Sequence, residues 1–302
     1  MKTNLFKPFA RKALALPALV GGLTLAIACG GSNGSPASSD GRLKLDISGL
    51  EDLGDDYKYE GWMIVNGQAI TTGVFDVDSS GNLETTDFDL DSTDLDDASA
   101  FVLTIEPFPD SDPAPSDTHI LAGDFSGNLA SIIVSHSSAL GTDFGTSSGN
   151  FILATPSDDS TNSSNPEEGI WWLNPTTGPG ASLTLPTLPN GWVYEGWLVG
   201  PSGPQSTGTF TSVSGADSDG AGATGGSDSA PAFPGQDILG IDLNDGNYTA
   251  VISVEPSPDN SSSPFTFKPL VKAIDNGAAT APTAHTMGVF STNTLPTGTA
   301  SR

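Results

Sequence analysis

Between Tyr59 and Phe267 the chain contains neither lysine nor arginine. Ion pairs with those residues cannot stabilise most of the fold. There is also no basic footprint on which a nucleic-acid backbone could be neutralised, so nucleic acid is not an expected partner. Cysteine occurs once, at Cys29, which excludes an intrachain disulfide. Histidine occurs at His119, His136 and His285 only. The chain has no Gly-x-Ser-x-Gly, no His-Glu-x-x-His, no Walker loop and no dinucleotide fingerprint. No catalytic site is therefore expected, and the chain is read as a non-enzyme. Helical periodicity over ten or more residues is missing as well. Residues 87–98 come nearest, and they are mostly acidic with no apolar face.

The cations that do occur are unevenly placed. Lys2, Lys7, Arg11 and Lys12 open the chain, ahead of an apolar stretch at 13–28 broken by Pro17 and Gly21-Gly22. That stretch is too short and too interrupted for a membrane-spanning helix, and it has the form of a signal peptide. Ala26-Ile27-Ala28-Cys29 looks like a bacterial lipobox. Residues 1–28 are then a lipoprotein signal peptide, and Cys29 is the lipidated first residue of the mature protein. The alternative is an ordinary cleaved signal with an incidental cysteine. Gly30, and not Asp, follows Cys29, which points to the outer membrane or surface of a bacterium. Residues 29–41 read as a flexible Gly/Ser tether. Loss of the leader removes four of the ten cations and none of the 36 acids. The remaining body would be repelled by anionic lipid, so the acyl chains must supply the membrane anchor. A solvated acidic surface and divalent-cation binding both fit such a charge.

What the chain has in abundance is internal similarity. Tyr59-Glu60-Gly61-Trp62 recurs as Tyr194-Glu195-Gly196-Trp197. Thirteen residues after each Tyr comes Thr-Gly-x-Phe, at Thr72 to Phe75 and Thr207 to Phe210. A β-rich run then ends in Glu106-Pro107 or Glu255-Pro256. The first phrases repeat at an offset of 135 and the Glu-Pro pair at 149. Fourteen extra residues therefore lie in the second copy, within the Gly/Ala/Ser/Asp-rich run at 214–235, as expected of a surface loop. At the offset of 149, His136 aligns with His285 and Ser148-Gly149 with Thr297-Gly298.

This set of motifs resembles the C-terminal, extracytoplasmic domain of anti-sigma-K (RskA-type) factors, in two tandem copies covering about two-thirds of the chain. The resemblance implies a non-catalytic module of the cell envelope that binds or senses through its folded domains. The family's usual sigma-binding domain and spanning helix are not read in the sequence. One alternative is an anti-sigma-type regulator acting through a membrane partner; another is a calcium-stabilised surface adhesion protein. The expected partners are the membrane, through the lipid, and an envelope protein or surface ligand.

Short strands at intervals of about ten residues, broken by Gly, Pro and Asn, predict an all-β protein of two tandem β-sandwich domains, 42–176 and 177–302. Leu43, Leu45 and Ile47 alternate with polar neighbours as a half-buried strand. Residues 57–65 and 69–77 form a hairpin around Asn66-Gly67. Tyr59 and Trp62 differ in parity, and Gly61 suggests a bulge that could reset the face. Trp171 and Trp172 face opposite ways in a strand, one into the core and the other either exposed as a contact or hidden at a sheet edge.

Among polar residues, Glu60, Glu195, Glu106 and Glu255 read as structural, because one such acid without a convergent second carboxylate does little chemistry. The sharpest local pattern is Asp76, Asp78, Ser80, Gly81, Asn82, Glu84 and Asp87. It follows the grammar of a Ca²⁺ loop: oxygens at positions one, three and five, Gly at six, carboxylates at nine and twelve. The competing reading is a hairpin turning at Ser80-Gly81-Asn82. No other cofactor is expected.

Overall fold

The computed structural model describes residues 40–158, 165–176, 178–258, 261–289 and 295–302. The signal peptide, Cys29 and all but the end of the tether lie outside the described residues. Along the chain the strands are β1 (Asp40–Ser48), β2 (Tyr57–Val65), β3 (Gln68–Phe75), β4 (Asp87–Asp91), β5 (Ala98–Pro107), β6 (His119–Ser126) and β7 (Leu129–Ile133). Shorter ones follow: β8 (Asn150–Leu153), β9 (Gly169–Trp171), β10 (Leu173–Asn174) and β11 (Gly180–Ala181). The second half adds β12 (Trp192–Gly200), β13 (Gly203–Phe210), β14 (Gly235–Asp237) and β15 (Thr249–Pro256). It closes with β16 (Leu270–Ala273), β17 (His285–Thr286), β18 (Gly288–Val289) and β19 (Thr297–Ser301). One helical turn, α1 (Ser92–Asp97), interrupts the strands. Asp91 caps it by accepting from the Thr93 amide at 2.8 Å, and Leu95 is its buried residue. The acidic stretch 87–98, the nearest candidate for a helix in the sequence, is thus split between β4 and α1.

The expected all-β class holds. Eight strands form one antiparallel sheet in the order β3-β2-β5-β6-β7-β19-β1-β4, and its edges β3 and β4 meet so that it nearly closes. A five-stranded sheet (β13-β12-β15-β16-β18) and a four-stranded one (β14-β9-β8-β17) complete the body. The hairpins form as their sequences require. Asn66 and Gly67 take φ of 52° and 78°, the positive pair a tight two-residue turn needs.

The division into two separate sandwiches at 176/177 is not what the strands do. Residues 38–302 make one compact unit, because each half lends its closing segment to the other. β19, from the second half, lies between β1 and β7 of the first, pairing Thr297 with Ser48 and Ile133, and Ala300 with Leu45 and Ala130. Reciprocally, residues 148–151 of the first half lie against two segments of the second. Ser148 exchanges both backbone hydrogen bonds with Thr184, and β8 pairs with β17. Ser148-Gly149 and Thr297-Gly298, aligned by the offset of 149, therefore fill corresponding slots. His136 and His285 do not correspond: the first sits in a turn after β7, the second inside β17. The tether also ends earlier than expected, since Asp40 and Gly41 already pair with Asp91 and Leu90.

The core is apolar and rich in rings. Tyr59, Met63 and Val65 of β2 pack with Phe101, Leu103 and Ile105 of β5 in the main cluster. Trp62 lies on the opposite face with Val102, Ala122 and Ala139. A bulge exists at Gly61/Trp62 against β3, yet β2 keeps unbroken register with β5 there, so the alternation is not reset and the two rings separate. Trp171 and Trp172 are both wholly buried, so of the two alternatives the hidden one holds. Trp172 enters the main core, while Trp171 packs with Ile152 and Leu173.

Candidate functional site

The repeated phrases build the same local geometry twice. In the first half the Trp62 indole N–H donates to Thr104 Oγ1 at 2.8 Å, and the Thr104 hydroxyl donates to the Glu106 carboxylate. Glu106 also accepts from the Ser116 amide, at 2.9 and 3.2 Å to its two oxygens. In the second half Trp197 donates to Ser253 Oγ at 2.8 Å, Ser253 donates to Glu255, and Glu255 accepts from the Phe265 amide at 2.9 and 3.2 Å. Glu106 and Glu255 are 2% and 0% exposed. Each is an acceptor that ties a strand end to the loop leaving it, and Ser116 and Phe265 both stand ten residues on.

The first Glu of each phrase behaves likewise. Thr71 donates to Glu60 and Ser206 donates to Glu195. The same two hydroxyls accept from the Gly73 and Gly208 amides at 3.0 and 3.1 Å. Gly73 and Gly208 take φ of 104° and 99°, which explains the Gly of Thr-Gly-x-Phe. Tyr59 and Tyr194 donate to the carbonyls of Glu51 and Pro186, each eight residues back, and stack on Phe75 and Phe210 at 5.7 and 5.8 Å. Gly61 and Gly196 are dictated by space. A Cβ on Gly61 would lie 2.3 Å from Thr72 Oγ1, and one on Gly196 would lie 2.4 Å from Thr207 Oγ1 and 2.7 Å from the Trp172 ring. Burial raises the pKa of Glu106, the hydrogen bonds from Thr104 and Ser116 oppose the rise, and the nearby Glu60 charge adds to it. Burial also drives the Tyr59 and Tyr194 phenols far up.

The calcium-loop pattern folds as a hairpin. Val77 bridges to Leu83, and the chain turns through Gly81, whose φ is 82°. Asp78 accepts from the Ser80 and Asn82 amides at 2.8 and 2.9 Å and from the Asn82 side chain, and these bonds lower its pKa. Asp76 pairs instead with Lys58, whose ammonium also sits 4.5 Å from the centre of the Phe108 ring. Asp87 accepts from the Thr86 hydroxyl. Among the described residues no group of three or more His, Cys, Asp or Glu is placed to hold a metal ion.

A concave surface lies beside this hairpin. A cleft of about 910 Å³ is lined by residues 45–52 leaving β1, by 78–83 and Thr86 of the hairpin, and by Thr266 of the second half. Its carboxylates are Asp46, Glu51, Asp52 and Asp78. The 51–56 loop separates it from a second cleft of about 340 Å³, which Pro256, Pro258 and Phe265 complete. Lys268 lies within reach of the Glu51 charge. It donates to the Phe265 carbonyl at 2.6 Å, and burial lowers its pKa against the pull of Glu51 and Glu255.

Residues 32–119 match the family described as anti-sigma-K factor RskA, C-terminal. The matched stretch is under a third of the chain. It contains the first phrase, Glu106 and all of the first cleft's lining except Thr266. No curated protein and no solved structure matches the chain.

The histidines are not brought together as a catalytic set. His136 Nδ1 accepts from the Ser138 amide at 3.1 Å, and its Nε2 lies 3.6 Å from Asp124. His119 Nδ1 meets the Ser138 carbonyl at 2.9 Å, and His285 stacks on Phe151. Sequence reasoning missed two acidic centres in the second half. Asp237, wholly buried, accepts from the Ser157 amide and hydroxyl and from the Trp171 indole, and burial raises its pKa. Asp217 and Asp219 bond each other inside the 214–235 insertion. Burial and the Asp219 charge raise Asp217 to about 7, while amides of Gly235 and Gly220 oppose the rise. Nothing in the local spelling marks these. Thr104 and Ser253 were legible, since each stands two residues before its Glu and so shares its face.

Proposed function

We propose that this chain is a lipid-anchored, non-catalytic protein of the bacterial envelope that binds or senses a membrane partner outside the cytoplasm. In this reading it belongs to a regulatory system of the anti-sigma type. The observation that carries the proposal is the coincidence of the family match with the walls of the acidic cleft. The match suggests a protein partner, and the cleft is the concave surface that the matched residues form. The repeated acids of the phrases do not compete for this role, because Glu60, Glu106, Glu195 and Glu255 are each engaged in holding strands. The Ala26-Ile27-Ala28-Cys29 lipobox supports the anchor.

The test is site-specific photo-crosslinking in the native cell. A photoreactive residue at Ser79 should trap one membrane protein, and the charge reversals Glu51→Lys and Asp52→Lys should abolish the adduct. An adduct that survives both reversals, or that forms equally from a probe at Leu129, defeats the assignment of the cleft. Cys29→Ala should move the chain from the membrane to the soluble fraction. If it stays membrane-bound, the lipid is not the anchor.

A further inference from the structure

The β1/β7 slot and the strand that fills it share no neighbouring sequence. The walls, residues 44–48 and 129–133, belong to the first half, and the donor, 297–301, arrives from the far end of the second. The donor presents Thr-Gly-Thr-Ala-Ser, and only Ala300 is buried. Its hold is therefore mainly the two backbone ladders, five residue pairs on each side, a mode of strand addition that reads main chain before side chain.

Three features give the slot an address. Gly298 passes so close to β1 that a Cβ would lie 2.3 Å from the Asp46 carbonyl oxygen and 2.8 Å from Ile47 Cα. Ala300 faces Leu45 and Ala130 across the two ladders. Arg302 then locks the end. Its guanidinium donates to the carbonyls of Leu95, Ala98 and Gly127 around the end of α1, lies 4.4 Å over the Phe125 ring, and its amide donates to the Asn128 carbonyl. None of these contacts depends on the donor being covalently part of the same chain. The fold also makes the exchange in both directions, since 148–151 sits in the corresponding place in the second half.

We propose that the slot between β1 and β7 is an exchangeable strand-binding site whose second occupant is residues 295–302 of another copy of this chain, giving a strand-exchanged dimer. The ladder and Arg302 contacts of the donor are kept in such a dimer. Concentration and the effective concentration of the tethered donor then decide between the two forms.

The full-length chain is unfolded and refolded over a range of protein concentrations, and its mass is measured by size-exclusion chromatography with light scattering. The expected result is a dimer whose share rises with the refolding concentration and is lost in Gly298→Val. A labelled peptide of residues 295–302 should bind Gly298→Val by fluorescence anisotropy and ignore the wild type, whose slot is filled. The same peptide carrying the valine should bind neither. Should Gly298→Val not fold, Arg302→Ala leaves the ladders intact. The wild type is then refolded in excess labelled peptide, and a peptide carrying Arg302→Ala should be incorporated about tenfold less, the effect of losing a charge-assisted hydrogen-bond cluster. A wild type that stays monomeric at every concentration overturns the proposal, as does a dimer that forms equally well from Gly298→Val.

Discussion

Replacing Thr104 with Val keeps the shape of a fully buried side chain and removes its hydroxyl. The Trp62 indole then loses its acceptor and the Glu106 carboxylate one of its donors. Leaving a buried polar group unpaired costs about 1–3 kcal/mol. Two groups are affected, but Glu106 keeps the Ser116 amide, so a loss of about 2–4 kcal/mol is expected. At roughly 2–4 °C per kcal/mol for a protein of this size, the melting temperature should fall on the order of 5–15 °C. The loss should also depend on pH. Burial raises the Glu106 pKa and the Thr104 hydroxyl opposes that rise, so the variant's folded-state value climbs further. A carboxyl raised in the folded state costs nothing below its unfolded value, and stability falls as pH rises from there through the folded value. Thr104→Val should therefore lose more at pH 8 than at pH 4.5. Urea unfolding of the full chain, followed by tryptophan fluorescence, measures both. A loss below about 1 kcal/mol, or one identical at the two pH values, would refute the Trp62–Thr104–Glu106 relay as a structural device.

Gly196→Ala should cost about 1–3 kcal/mol by overpacking, because the new methyl meets the rigid Trp172 ring; thermal melting and near-ultraviolet circular dichroism would register it, and a neutral result would remove space as the reason for that Gly. Asp219→Asn should stabilise the chain at pH 8 and change little near pH 4. It takes one charge from a pair whose Asp217 is raised to about 7 and so penalises folding as pH rises through that range; parallel melts at the two pH values decide it, and an effect larger at pH 4 contradicts it. The wild type should melt alike in EDTA and in millimolar Ca²⁺, since Asp76 is held by Lys58 and Asp78 by its own turn. A calcium-dependent rise that Asp78→Asn abolishes would establish the loop as a site.

The sequence by itself determined the strand rhythm, the Asn66-Gly67 turn and the equivalence of the two phrases. These are local matters of alternation, turn chemistry and spacing, and they survive in any packing. Spelling also marked Glu106 and Glu255 as structural acceptors, because a carboxylate at a strand end meets the amides of the loop that follows. Tertiary structure decided the rest. Continuous register with β5 kept Trp62 on the face opposite Tyr59 in spite of the Gly61 bulge, and a pairing partner cannot be read from one strand. Burial of both Trp171 and Trp172, and the meeting of Asp237 with Ser157, depend on segments distant in the chain. The exchange of closing strands is the clearest case. Thr-Gly-Thr-Ala-Ser has no side-chain signature strong enough to name its neighbours, so only the backbone ladders of β1 and β7 assign it to the other half.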